Sequence, residues 1–287
     1  MAVVDLHLHT AASDGILRPG QMVRFAARRG LRVVSVADHD STEGVAEALE
    51  TAKEFPEMEL IPGVELSTDV PEAEVHVLGY FIDFRDQGLL ERLERFRNGR
   101  VLRARRMTDK LAALGMKLDW SRVMKLAGDG SVGRPHIAQA MLEAGYVSQF
   151  KEAFEKYIGR NGPAYVGREK LTPVEAVKML IGVRGLPVLA HPGDLPDLER
   201  VLQELMAAGL VGMETYYGNY RPERVRLLEA VAAEHGLVPC GGSDYHGLGT
   251  PDEVLPGEIG PPLEVVETLR SIWQEKNRVR GRTNRTG

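Results

Sequence analysis

The chain has 287 residues, 36 of them basic and 41 acidic, for a formal net charge of −5, with 43% hydrophobic and 27% charged residues. This balance is that of an ordinary globular protein and excludes fibrous and disordered classes. The acidic total gives no overall electrostatic case for nucleic-acid binding, so no stable DNA complex is expected, although a local basic patch could still serve a small anionic substrate.

The first half alternates strand and helix. Val3 to His9 reads as a strand and Pro19 to Arg29 as a helix; Val33 to Ala37, rich in Val, reads as a buried strand, followed by a helix from Glu43 to Lys53. Leu60 to Leu66 and Val75 to Ile82 are two further strands, joined by a short polar link without a helix. From about Gln87 to Gly182 the pattern is mostly helix and loop, with Leu89, Leu93 and Phe96, then Met107, Leu111 and Leu114, at helical spacing. Pro135 sits in the first turn of a helix running toward Glu143. Alternation resumes with strand Pro187 to Ala190, helix Asp197 to Ala207, strand Leu210 to Thr215, helix Pro222 to His235, strand Leu237 to Cys240 and a last helix over Leu263 to Glu275. The basic tail KNRVRGRTNRTG is expected to be frayed. Seven strands mostly followed by helices predict a closed or nearly closed parallel α/β barrel, with the helical stretch as an insertion. The expected division is barrel over 1–86, insertion over 87–182 and barrel again over 183–287.

The only cysteine is Cys240, so no intramolecular disulfide can form, which fits a reducing compartment. No apolar run reaches membrane-spanning length, and MAVVDLHLHT lacks the regions of a signal peptide. A cytoplasmic protein of bacterial type without membrane partners is expected.

The chemistry-bearing residues gather at strand ends. In Asp5-Leu6-His7-Leu8-His9-Thr10, His7 and His9 project to one side of a strand and can share an ion. Asp14 follows on the loop, and Asp38-His39-Asp40 comes directly after the second strand. Glu65, His76, His191, Asp244 and His246 complete the set. In parallel barrels the C-terminal strand ends form the active-site face; His76, at a strand's start, departs from that rule. A lone histidine is often a hydrogen-bonded core residue. Six of the eight histidines belong to this set, however, and stability alone does not call for so many costly polar groups at strand ends.

The segments DLHLHT, ADHD, GVELS, AHPG and GGSDYHG, in this order, resemble the motifs of the PHP (polymerase and histidinol phosphatase) family. The resemblance implies a distorted (β/α)7 barrel with two or three divalent metals; the mixed nitrogen and oxygen donors, without cysteine, favour Mn, then Fe or Zn, over Mg or Ca. It implies one metal on His7, His9, Glu65 and Asp244, a second on Glu65, His76 and His191, and a third on Asp14, His39 and His246. A water acidified by these ions would act as the nucleophile on phosphorus. Asp40, with Asp14 and His246, is the candidate for proton handling; Asp40 can equally serve by a hydrogen bond that orients a ligand. Asp5 shares the face of His7 and His9 and is read as their support.

In the insertion, Arg134-Pro135-His136 opens a helix whose free N–H groups can meet an anion, with Arg134 as a phosphate donor and His136 as a second. The alternative has Arg134 as a surface cap and His136 in packing. Arg168 and Lys170 are further phosphate candidates. Arg97 to Lys110 holds six basic side chains, and Arg100, Arg103 and Lys110 can share one helical face, by default a solvated one and otherwise a substrate-facing stripe. The segment Ser131-Val132-Gly133-Arg134-Pro135-His136-Ile137-Ala138, with Gly162-Pro163-Ala164-Tyr165-Val166, resembles the branch of nucleoside 3′,5′-bisphosphate phosphatases and 5′-to-3′ exoribonucleases. The expected reaction is conversion of pAp to AMP and phosphate. Stepwise cleavage of short RNA, histidinol-phosphatase-like hydrolysis and a non-catalytic binding module are the alternatives.

Overall fold

The computed structural model describes residues 2–69, 73–128, 132–167 and 171–283. Seven strands form one sheet in chain order: β1 (Val4–Leu8), β2 (Val33–Val36), β3 (Glu59–Asp69), β4 (Glu74–Tyr80), β5 (Leu186–Leu189), β6 (Gly212–Tyr217) and β7 (Val238–Gly242). All four β2 residues are buried, as a Val-rich strand covered on both faces requires. The sheet returns on itself where β7 meets β1. The Asp244 N–H donates to the His7 carbonyl at 2.9 Å, and the His9 N–H to that of Tyr245 at 3.0 Å. Glycine at 242 permits this approach: a Cβ there would lie 2.5 Å from both Asp5 Oδ1 and the His7 nitrogen.

One strand corrects the expected all-parallel barrel. β4 is antiparallel to both β3 and β5, with Ser67 opposite His76 and Val77 opposite Leu189. The link after β3 is too short to hold the crossover that parallel pairing needs, so the chain turns back as a hairpin. Reversal brings the start of β4 to the end of the barrel where the other strands finish. This accounts for His76, whose position at a strand's start had no physical explanation in the sequence.

Helices α1 (Pro19–Arg28), α2 (Val45–Ala52), α3 (Gln87–Ala113), α4 (Trp120–Ala127), α5 (Arg134–Glu143), α6 (Phe150–Ala153), α7 (Pro173–Gly182), α8 (Leu198–Ala208), α9 (Pro222–Glu234) and α10 (Leu263–Thr283) complete the chain. Asp86 caps α3 by accepting from the Leu89 N–H at 2.9 Å, and Thr172 and Glu175 cap α7 reciprocally. The segment around α4 to α6 has its own apolar core, in which Met107, Leu111, Val123, Ile137, Met141 and Ile158 are fully buried. Leu89 and Leu93 of α3, and Ala176, Val177 and Leu180 of α7, pack instead with the barrel strands. The last helix runs further than the expected Glu275: α10 continues to Thr283, and Trp273 Nε1 donates to the Arg184 carbonyl at 2.9 Å. Among the described residues, no helix is long and apolar enough to cross a membrane.

Candidate metal centre

The alternation of β1 sends His7 and His9 into the barrel mouth, both fully buried. Their Nε2 atoms each lie 3.4 Å from Glu65 Oε2, and 3.3 and 2.9 Å from Asp244 Oδ1. The other Glu65 oxygen, Oε1, lies 2.9 Å from His76 Nδ1 and 3.1 Å from His191 Nε2. One buried carboxylate thus spans two groups of donors. A third group surrounds Asp14, with His246 Nε2 at 3.4 Å, His9 Nδ1 at 3.7 Å and His39 Nε2 at 3.8 Å. All nine candidate ligands therefore converge. Two of them reach further than the spacing indicated: His9 faces two groups with its two nitrogens, and His39 Nδ1 lies 2.8 Å from Glu65 Oε2.

The donor set fits divalent ions. His7 Nε2, both ring nitrogens of His9 and Glu65 Oε2 are buried without a hydrogen-bond partner. Such atoms are costly unless something else satisfies them, and ligation does so. Among the described residues, three groups have donor atoms within 4.8 Å of one another: His9, Asp14, His39 and His246; His7, His9 and Glu65; and His39, Glu65 and His76. Burial pushes His9 down to about 4, with the neighbouring His246 ring adding to the effect. Burial would raise the Glu65 carboxyl, but the rings of His39, His76 and His7 hold it well below the usual carboxylate range. Three residues at this rim, Asp40, His191 and Asp244, have positive φ values of 48°, 29° and 56°. Backbone of this kind in non-glycine residues is costly and concentrates at functional sites.

Several side chains hold the candidate ligands without pointing at the centre themselves. Asp38 accepts from the Thr10 N–H at 2.7 Å, Thr10 Oγ1 at 2.7 Å and Ser13 Oγ at 2.6 Å, so it pins the loop that carries Asp14. Asp5 supports the β1–β7 seam rather than a ligand ring: it accepts from Ser243 Oγ at 2.7 Å, the Ser243 N–H at 3.0 Å and the His7 N–H at 3.2 Å. Two residues escaped the sequence reading. Glu214 Oε1 lies 3.0 Å from His7 Nδ1, and Tyr217 Oη donates to Asp244 Oδ2 at 2.7 Å. The signal for Glu214 was a carboxylate in the interior of a strand, Gly212–Tyr217, which burial makes expensive without a partner.

A cavity opens from this cluster toward the cap, the segment around α4 to α6 with its own apolar core. Asp14, His39 and His76 line it together with Arg100, Arg103 and Arg134, and Ser67 Oγ, 3.3 Å from His39 Nδ1, accepts from Arg100 at 2.6 Å. Arg100 and Arg103 thus face the cavity, which replaces the default reading of a solvated stripe, whereas Lys110 is exposed and donates to the Tyr165 carbonyl at 2.8 Å. Asp40 accepts from Arg100, and its Oδ1 accepts from the Ser67 N–H at 3.0 Å. Arg134 pairs with Glu74 and lies over the Phe154 ring. His136 caps its own helix, its Nδ1 accepting from the Gly133 N–H at 3.0 Å. Arg168 and Lys170 lie outside the described residues.

Comparison with known proteins agrees with this geometry. The PHP domain matches residues 5–157. Over 284 residues, 96% of each chain, the protein is 32% identical to a 3′,5′-nucleoside bisphosphate phosphatase of Chromobacterium violaceum. It is 30% identical over 278 residues to the 5′-3′ exoribonuclease Rnm of Salmonella typhimurium, covering 95% of this chain and 93% of the relative. A structure described as that of a metal-dependent phosphoesterase, from Bifidobacterium adolescentis, superposes with a TM-score of 0.83 at 30% identity, covering 93% of this chain and 94% of the other. Fold and site together define a hydrolase of phosphoric ester bonds that uses divalent metal ions. The chain belongs to the PHP family.

Proposed function

We propose that this enzyme removes the 3′-phosphate of small nucleoside 3′,5′-bisphosphates, taking pAp to AMP and phosphate. The observation that carries the reading is one cavity lined both by candidate metal ligands, Asp14, His39 and His76, and by Arg100, Arg103 and Arg134. A substrate with two phosphates fits such a lining: one phosphate at the ligand cluster, one against guanidinium groups.

In this reading His7, His9, Glu65 and Asp244 hold one ion, Glu65, His76 and His191 a second, and Asp14, His39 and His246 a third. When bound, the ions acidify water and offset phosphoryl charge, and manganese suits this mixed nitrogen and oxygen set, with iron or zinc also compatible. The protein's own groups do the rest. Arg100 and Arg134 orient the distal phosphate, and Asp40 fixes the Arg100 guanidinium. With its Nδ1 occupied by the Gly133 N–H, neutral His136 carries its proton on Nε2 and can donate there. Asp14, which lines the cavity, and His246 beside it are assigned proton handling at the leaving oxygen beside their ligand role, and Arg168 and Lys170 remain candidates for the outer phosphate. The unpaired, buried Cys240 supports a reducing, cytoplasmic setting.

A second reading, stepwise release of 5′-mononucleotides from short RNA, is favoured by the number of cavity arginines, more than one phosphate requires. Manganese-loaded protein incubated with pAp, 5′-AMP and histidinol phosphate, with released phosphate measured, tests the first reading; equal rates on all three refute it. A 5′-phosphorylated, labelled oligonucleotide tests the second, for which a ladder of mononucleotide products is expected.

A further inference from the structure

Glu214 is completely buried on β6, inside the barrel, and has no access to the substrate cavity. Its two oxygens serve different parts of the metal centre. Oε1 lies 3.0 Å from His7 Nδ1, and Oε2 accepts from the His191 backbone N–H at 2.8 Å. His191 is held there at φ 29°, a backbone state that costs free energy unless its surroundings enforce it.

We infer that Glu214 is a positioning residue that couples two metal sites, fixing the tautomer of His7 with one oxygen and the strained backbone of His191 with the other. The inference rests on the ligand roles of His7 and His191 given above. The chemistry is one of donor counting. A carboxylate only accepts, so the His7 proton sits on Nδ1, and Nε2 presents its lone pair toward Glu65 and Asp244. The His191 N–H can only donate. Both partners of Glu214 are therefore donors, and only a two-acceptor side chain satisfies both.

A glutamine at 214 has nearly the same shape but one acceptor and one donor. If its carbonyl takes the His191 N–H, its NH2 faces His7 Nδ1, which must then accept, and the ring proton moves to Nε2, where it blocks ligation. If its carbonyl takes His7, its NH2 meets the His191 N–H and that strained turn loses its hold. Either arrangement weakens one of the two sites while leaving shape and packing intact.

The test is metal binding rather than turnover. Wild type, Glu214→Gln and Glu214→Asp are titrated with Mn and Zn against a competing chelator, bound metal per chain is counted after dialysis, and ring-nitrogen shifts are read by NMR on zinc-loaded, 15N-histidine-labelled protein. Glu214→Gln is expected to weaken metal binding about 10- to 100-fold, the range for removing a partner of a ligating histidine. Bound metal per chain should fall, and the His7 signals or the His191 amide should move. Glu214→Asp keeps two acceptors and is expected to recover part of the affinity. Unchanged affinity and metal content in Glu214→Gln, with only a lower melting temperature, overturns the inference. Should Glu214→Gln not fold, Glu214→Asp decides against wild type, because its shorter reach must still lower metal affinity. Wild type that binds no divalent metal overturns the ligand reading and this inference together. Wild type that binds metal and does not release phosphate from pAp refutes the substrate reading alone.

Discussion

Arg100, on the long helix of the cap, grips Asp40 of the barrel: its Nε lies 2.9 Å and one terminal nitrogen 2.5 Å from the same carboxylate oxygen. That terminal nitrogen also donates to Ser67 Oγ at 2.6 Å. The Asp40 side chain is 2% exposed and the Arg100 side chain 14%. Removing one partner of a buried pair leaves an uncompensated charge, at a cost of about 3–5 kcal/mol. Asp40→Ala is therefore expected to lose about that much stability in urea unfolding. A loss below about 1 kcal/mol would show the pair to be solvated in practice.

Arg134 and Glu74 make the second bridge between cap and barrel, and both line the cavity. In the proposed reading a substrate phosphate would compete with the Glu74 carboxylate for Arg134. Glu74→Gln is expected to lower KM for pAp several-fold, and Arg134→Ala to raise it about tenfold or more, the scale of one lost charge-assisted hydrogen bond. Steady-state kinetics on pAp at fixed ionic strength decide this; an unchanged KM in both variants, or each change reversed, would place the phosphate elsewhere.

Metal should also stabilise the fold. The unpartnered nitrogens of His7 and His9 and Glu65 Oε2 gain partners when ions bind. An ion at a hundred times its dissociation constant contributes about 2.7 kcal/mol per site. Chelator-stripped protein should therefore melt several degrees lower than manganese-loaded protein, and His9→Ala should shrink the difference. Equal melting temperatures with and without metal would contradict the ligand assignment.

Asp5 gives a pH signature in the metal-free protein. Burial pushes its carboxyl from 3.8 up to about 7, against the opposing bonds from Ser243 and His7. A group whose folded pKa is raised binds its proton more tightly in the folded state. Its contribution is complete below about 4 and is lost as pH rises from about 4 to about 7. Asn at this position stays neutral throughout. Between pH 5 and pH 8, the stability of Asp5→Asn relative to wild type is expected to rise by about 2–3 kcal/mol, at 1.36 kcal/mol per pKa unit. A flat difference in urea melts over that range would place the Asp5 pKa near its ordinary value.

Residues local in sequence were the legible ones. The His7–His9 alternation, the Asp38-His39-Asp40 cluster and the Val-rich β2 each carry their geometry within a few positions. The strand count could be read for the same reason, whereas strand direction could not: β4 reverses because of the shortness of a link, a cue that periodicity does not register. Glu214 and Tyr217 were missed because their partners, His7 and Asp244, lie 207 and 27 residues away in sequence. Arg100 looked like a solvated charge because helical spacing gives the face it shares with other basic residues and not the element that face meets. Its partner Asp40 lies 60 residues earlier.

The reversal of β4 also settles how the cap is carried. The strand leaves the chain at Tyr80, on the side of the barrel away from the metal centre, so the polypeptide has to climb back before it can cover the mouth. α3 makes that climb in 27 residues, about 40 Å of continuous helix at 1.5 Å per residue. Its lower turns are rooted among the barrel's apolar side chains through Leu89 and Leu93, and its upper turns in the cap's through Met107 and Leu111. Arg100 and Arg103 sit on the stretch between. A strut anchored at both ends cannot tilt without disturbing one of its footings, so the distance from these guanidinium groups to the histidine cluster is set by the helix. For a substrate with two phosphates, as proposed, a ruler made of backbone hydrogen bonds would set the span between them.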